Sequence, residues 1–176
     1  MTGDVFEVIK ERKSIRAFKS QDIPDTTVTR LLEAASRAPS AGNLQPWKFY
    51  VVKIREIKEK LAGAAYNQRF IIQAPVVIVV CALPEESALR YGERGRSLYC
   101  IQDTAAAVQN LLLSAWALGI GSCWVGAFDE GAATSALELS KRERPVAIIP
   151  LGYPAEEGHF GKTSRKPLEK VVEFVR

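Results

Sequence analysis

The chain has 176 residues, 47% of them hydrophobic and 25% charged, with a net charge of +4. These values sit near the average for soluble globular proteins and suit one domain with its own core and no long disordered segment. The start of the chain is charged and amphipathic, which is unlike a secretory signal. The longest apolar stretch, 104–125, is broken by Gln109, Asn110, Ser114 and two glycines. A membrane span needs about 20 mostly apolar residues, so this stretch reads as a buried helix followed by a buried strand.

Val5, Phe6, Val8 and Ile9 predict a short amphipathic helix over 4–12, ending in the run Arg12-Lys13-Ser14-Ile15-Arg16-Ala17-Phe18. Pro24-Asp25 opens a second helix to about Ala38, with Asp25 as candidate cap. Pro39-Ser40-Ala41-Gly42-Asn43 is a dense turn signal. A strand is predicted over 48–53, a helix over 55–65, a loop around Asn67, and a buried strand from Val76 to Cys81 after Pro75. The charged, glycine-bearing segment 84–96 reads as a mobile excursion. From Ser97 to Leu118 runs a long helix apolar on most of its surface, which must be buried in the core, at a dimer interface, or both. A strand over 122–125, a helix over 129–139, a strand over 144–151 and a loop over 152–161 follow. The apolar tail 168–175 is too short to pack alone and is expected to dock on a sheet, its own or a partner's. No repeat or linker divides the chain, which is read as one domain of α+β type over 1–176.

The composition narrows the chemistry. Cys81, Cys100 and Cys123 form no CxxC pair and lie in apolar surroundings, as buried thiols of a reducing cytoplasm would. His159, the single histidine, sits in a glycine-rich loop. Without clustered ligands a metal site is not expected, and neither is a Ser-His-Asp or Cys-His triad. Gly119 and Gly121 follow a helix and precede a strand, the reverse of the dinucleotide fingerprint. Nucleic acid would want a basic stripe interleaved with aromatics, which is not found.

By count, residues 1–70 carry +5, 71–139 carry −4 and 140–176 carry +3, so cations gather near both ends. Three polar segments stand out. Arg12, Lys13, Ser14 and Arg16 offer three cations and a hydroxyl that can hold a phosphate. Pro39, Ser40, Ala41, Asn43 and Gln45 lie in a small-residue loop, stiffened by Pro46 and Trp47, that lets backbone approach a ligand. Lys162 and Arg165 lie in a second basic, hydroxyl-rich turn that could converge with the first on one phosphate.

The order of segments resembles the nitroreductase family of FMN-dependent oxidoreductases. The resemblance rests on the 12–18 run, the 40–47 loop, Cys123-Trp124-Val125-Gly126-Ala127-Phe128, Arg144-Pro145-Val146-Ala147 leading to Gly152-Tyr153-Pro154, and Arg165-Lys166-Pro167-Leu168-Glu169. It implies a nitroreductase-like α+β fold, with a central, mainly antiparallel sheet flanked by helices, in an intertwined homodimer. It also implies that Arg12 pairs with the FMN phosphate and that Lys13 and Ser14 contribute nearby contacts. Arg16 would lie at the pyrimidine edge and support negative charge there. Pro39, Ser40, Ala41, Asn43 and Gln45 would reach FMN from the partner subunit, and Asn67 and Gln68 would lie near the ring edge. Val125, Gly126 and Ala127 would approach N5 through their backbone, and Lys162 and Arg165 would clamp the phosphate. The cofactor carries the chemistry and no catalytic side chain is required. The implied activity is ping-pong transfer from NADH or NADPH to a small-molecule electron acceptor such as a nitroaromatic or quinone, in the cytoplasm, with no nucleic-acid or membrane partner. A flavin carrier without turnover, or a dehalogenase or flavin-modifying relative, are the alternatives on the same fold.

Overall fold

The computed structural model describes residues 4–155 and 164–176. In chain order the elements are α1 (Val5–Glu11), α2 (Asp25–Ser36), β1 (Trp47–Val52), α3 (Arg55–Ala64), α4 (Phe70–Gln73) and β2 (Val76–Ala82). Then come α5 (Pro84–Arg94), a π-helical turn (Gly95–Tyr99), α6 (Cys100–Ala117), β3 (Gly121–Ser122), α7 (Glu130–Leu137) and β4 (Arg144–Gly152). The strands form one antiparallel sheet in the order β1-β2-β4-β3. This is the α+β architecture expected.

Every residue of β2 is buried, although its partners run antiparallel. Side chains alternate across a strand, and both faces of β2 are covered. Val76, Ile78 and Val80 pack with Val28, Leu31, Leu111 and Ala115 of α2 and α6. Val77, Val79 and Cys81 pack with Leu61, Ile71 and Ala133 of α3, α4 and α7. The continuous apolar run in the sequence therefore reports a strand between two helical layers. Opposite Val80 and Cys81 the register shifts at Val146, where β4 carries Pro145 and bulges.

A buried carboxylate clips β1 to the turn before β4. Glu143 accepts hydrogen bonds from Lys48, from the Tyr50 hydroxyl at 2.6 Å, and from the Ser140 N–H and hydroxyl at 2.9 and 2.7 Å. These bonds hold its carboxyl down at about 2.

Several expectations need correction. The 84–96 segment is folded. It forms α5, bends at Gly92 (φ 55°, ψ −141°), and continues as the π-helical turn into α6. Gly95 tucks so close to the Ser87 carbonyl that a Cβ would lie 2.4 Å away. Asp25 is the first residue of α2 and Pro24 takes the cap position with no side-chain bond. The third strand is only Gly121–Ser122, supplemented by an isolated Val125–Ile148 bridge, with exposed Trp124 between them. The short helix α4 was not anticipated. Of the two sheets on which the tail could dock, its own chain's does not take it: residues 164–176 are exposed throughout, with Phe174 at 80% and Val175 at 94%. No helix among the described residues is long and apolar enough to cross a membrane.

Candidate functional site

α1 ends at Arg12, whose N–H still donates to the Val8 carbonyl while its ψ of 130° turns the chain into extended backbone. The next residues are sewn to the sheet. Ser14 bridges Ser122, the Ile15 N–H donates to the Ser122 carbonyl at 2.8 Å, and Phe18 bridges Pro154. Ile15 points inward, 2% exposed. In an extended run its neighbours Ser14 and Arg16 share the opposite face. Gly121 permits this approach, since a Cβ there would lie 2.7–2.9 Å from three Ile15 carbons.

Beneath this run lies Cys123. Burial pushes its thiol up, while Arg16, Ser14 and Arg12 pull the other way. Those three residues therefore share one neighbourhood. Among the described residues no carboxylate lies within ion-pair distance of Arg12, Lys13 or Arg16. Lys13 Nζ sits 5.9 Å from the centre of a Trp116 ring.

The chain past β3 reaches the same region. Val125 is buried and exchanges two 3.0 Å backbone bonds with Ile148. Gly126 and Ala127, next along, are exposed, and among the described residues their N–H groups make no hydrogen bond. The Gln68 amide donates to the Ala127 carbonyl at 3.4 Å. Asn67 turns the chain before it with φ 62°, its N–H closing on the Ala62 carbonyl. The single chain thus gathers Arg12, Ser14, Arg16, Gln68, Val125, Gly126 and Ala127 along one edge of the sheet.

The 39–45 loop is elsewhere. A short 3-10 turn (Ala41–Asn43) holds Gly42, Asn43 and Gln45 at φ of 58°, 56° and 51°. For the two non-glycine residues this left-handed backbone is strained. Bonds within and beyond the loop maintain it. The Gln45 N–H donates to Ser40 Oγ at 2.9 Å, the Asn43 N–H to the Ser40 carbonyl at 2.9 Å, and the Ala41 N–H to Asp103 Oδ1 at 3.1 Å. Pro39, Asn43 and Gln45 are exposed, Ser40 and Ala41 half-buried. Asp103, a carboxylate in the apolar helix α6, was missed from the sequence. Its other oxygen is buried without a partner, and burial pushes its carboxyl up.

Asp103 lies near the start of α6 and Trp116 near its end. At 1.5 Å per residue the loop and the basic run are therefore about 20 Å apart along that helix. One chain does not bring them together. Arg165 is exposed and has no ion-pair partner among the described residues. Lys162 and His159 lie outside the described residues.

The family model of the nitroreductase family matches residues 9–68 and 63–153. The chain belongs to the nitroreductase family. It is 38% identical over 161 residues to a protein of Archaeoglobus fulgidus whose name joins NADH dehydrogenase with NAD(P)H nitroreductase, covering 89% of each chain. It is 34% identical over 189 residues to an NADH dehydrogenase of Thermus thermophilus, covering 92% of this chain and 91% of the other. The crystal structure of a nitroreductase family protein from Clostridium novyi NT superposes with a TM-score of 0.80 at 34% identity, covering 88% of this chain and 87% of that one. The fold is thus the nitroreductase fold and the chain an oxidoreductase by family.

Proposed function

We propose that this nitroreductase family member binds FMN between two copies of itself and passes electrons from NADH or NADPH to small acceptors such as nitroaromatics and quinones. The observation that supports the reading is that the Ser40–Gln45 loop and the basic run lie by opposite ends of α6. A second copy, laid antiparallel along α6, would set its Ser40–Gln45 loop against the basic run of the first. Ala105, Ala106, Leu113, Trp116 and Ala117 of α6 are only half-buried in one chain, and Val5, Phe6 and Ile9 of α1 are exposed. That apolar surface favours pairing. The exposed tail, with Leu168, Val171 and Phe174 outward, offers a clasp for the second copy.

The residues suit the cofactor. Arg12 and Lys13, which meet no carboxylate among the described residues, would with Arg165 and Lys162 match a phosphate dianion, and Ser14 adds a hydroxyl. Gly126 and Ala127 present free N–H groups at an exposed edge, where they and Gln68 can meet a ring heteroatom. Arg16 would support negative charge at the pyrimidine edge. Asn67 adds polar reach, and Pro39, Ser40, Ala41, Asn43 and Gln45 would close the site from the second copy. FMN, when bound, supplies the two-electron hydride chemistry. The chain holds it, orients it and excludes water from one face. The three buried, unpaired thiols favour a cytoplasmic setting.

Absorbance of the purified protein, identification of the released chromophore, and NAD(P)H oxidation with an added quinone or nitro compound test the proposal together. The expected result is bound FMN and turnover well above that of free FMN. A colourless protein that ignores added FMN would defeat the reading, and bound flavin without turnover would leave a carrier.

A further inference from the structure

α5 and the π-helical turn carry a cluster to which the flavin site gives no task. The Arg90 guanidinium lies 5.5 Å from the centre of the Tyr91 ring, and that of Arg94 lies 5.3 Å from the centre of the Tyr99 ring. Arg94 Nε–H also donates to the Tyr99 hydroxyl at 2.9 Å. The two rings meet edge to face, 5.2 Å apart at 78°, which joins both cations in one patch. Arg96 next to them is consumed by Glu85 and Glu93 at 2.8 and 3.0 Å. Arg90 and Arg94 have no carboxylate within 4.0 Å among the described residues. Their planar forks rest near tyrosines while most of their N–H donors stay open.

The patch adjoins the flavin-facing loop. A Cβ on Gly42 would lie 2.6 Å from the Tyr91 hydroxyl and 2.8 Å from Arg90 Nη1. Beside the proposed flavin pocket, two open guanidiniums gain less from the neutral oxygens of a quinone or nitroaromatic than from an anion. They suit a ligand that brings several phosphate charges to the same entrance. The hydride donor is such a ligand. NADH carries a diphosphate, and NADPH adds a phosphomonoester.

We propose that Arg90 and Arg94, positioned by Tyr91 and Tyr99, bind the phosphate groups of the dinucleotide donor while its nicotinamide reaches the flavin beyond the Ser40–Gln45 loop. This rests on the flavin-site reading above.

The test compares NADH, NADPH and 1-benzyl-1,4-dihydronicotinamide, a donor without phosphates, on FMN-loaded protein. Wild type is set against Arg90→Ala, Arg94→Ala and Arg94→Lys. Both arginines are exposed, so the variants are expected to fold and retain FMN. The selectivity for NADH over the phosphate-free donor, as a ratio of kcat/KM, is expected to fall about tenfold or more in each alanine variant, the range for one hydrogen bond to a charged group. Arg94→Lys is expected to fall between. A larger loss with NADPH than with NADH assigns the patch to the phosphomonoester, and an equal loss assigns it to the diphosphate. Selectivity over the phosphate-free donor unchanged within twofold for both NADH and NADPH, or equal losses with all three donors, overturns the proposal and leaves the flavin site standing. A wild type that takes up no FMN overturns both.

Discussion

Replacing Gly121 with alanine tests how the basic run is seated. The new Cβ would lie 2.7 Å from Ile15 Cγ2, 2.8 Å from its Cβ and 2.9 Å from its Cγ1. Ordinary carbon contacts are about 3.5–4.0 Å, so the segments must part by roughly 1 Å. A rotamer change cannot relieve this, because Ile15 Cβ is itself one of the clashing atoms and the side chain is 2% exposed. The 2.8 Å bond from the Ile15 N–H to the Ser122 carbonyl would stretch, and Arg12, Ser14 and Arg16 would move with it. Overpacking of this kind costs about 1–3 kcal/mol. The expected result is that loss in urea unfolding at fixed protein concentration, with FMN affinity about tenfold or more weaker by fluorescence titration. Gly63→Ala is the control. Nothing lies within 4 Å of its Cβ, and in the exposed face of α3 it is expected to gain about 0.5–1 kcal/mol. Wild-type stability and FMN affinity in Gly121→Ala would show that the run is not fixed through this contact.

Other perturbations address separate parts. Glu143 has a folded value of about 2 against an ordinary 4.5, so its contribution is present above pH 4.5 and is lost as pH falls toward 2. The gap is worth at most about 3 kcal/mol. Screening at half-exposed Lys48 lowers it to about 1–2 kcal/mol. Unfolding midpoints measured from pH 7 to 2.5 should therefore flatten in Glu143→Gln, and parallel curves for the two proteins count against the network. Arg165→Ala is expected to weaken FMN binding by about 1.5–3 kcal/mol, and calorimetry showing unchanged affinity removes Arg165 from the phosphate clamp. Asp103→Leu orphans the Ala41 N–H and is expected to cost FMN affinity about 1–3 kcal/mol, whereas Asp103→Asn keeps an acceptor and stays near wild type. Equal losses in both would assign the effect to charge.

The helices and strands with a full hydrophobic period were legible. Val76–Cys81 and Arg144–Leu151 read as buried strands because the apolar runs Val76–Cys81 and Val146–Ile149 require cover on both faces, and α6 read as buried because its apolar surface exceeds one face. The 84–96 segment misled because its order comes from tertiary terms. Arg96 pairs with Glu85 and Glu93, and the bends at Gly92 and Gly95 look like loop signals until Ser87 is seen packed against Gly95. α4 was too short to show a period. In the site, residue types were readable, since cations, small polar residues and glycines announce themselves. Their grouping was not. Gln68 meeting Ala127, Asp103 holding Ala41, and the distance between the loop and Arg12–Arg16 depend on where α6 begins and ends.

The span of α6 has a consequence for the shared-site reading. A solitary subunit would own two incomplete pockets and no working one, so specific activity should decline on dilution as pairs come apart. Mixing a copy crippled at Arg12 with another crippled at Asn43 should restore function. Each hybrid pair would concentrate both lesions in one cleft and leave the opposite cleft intact, giving half-active assemblies from two inactive parents.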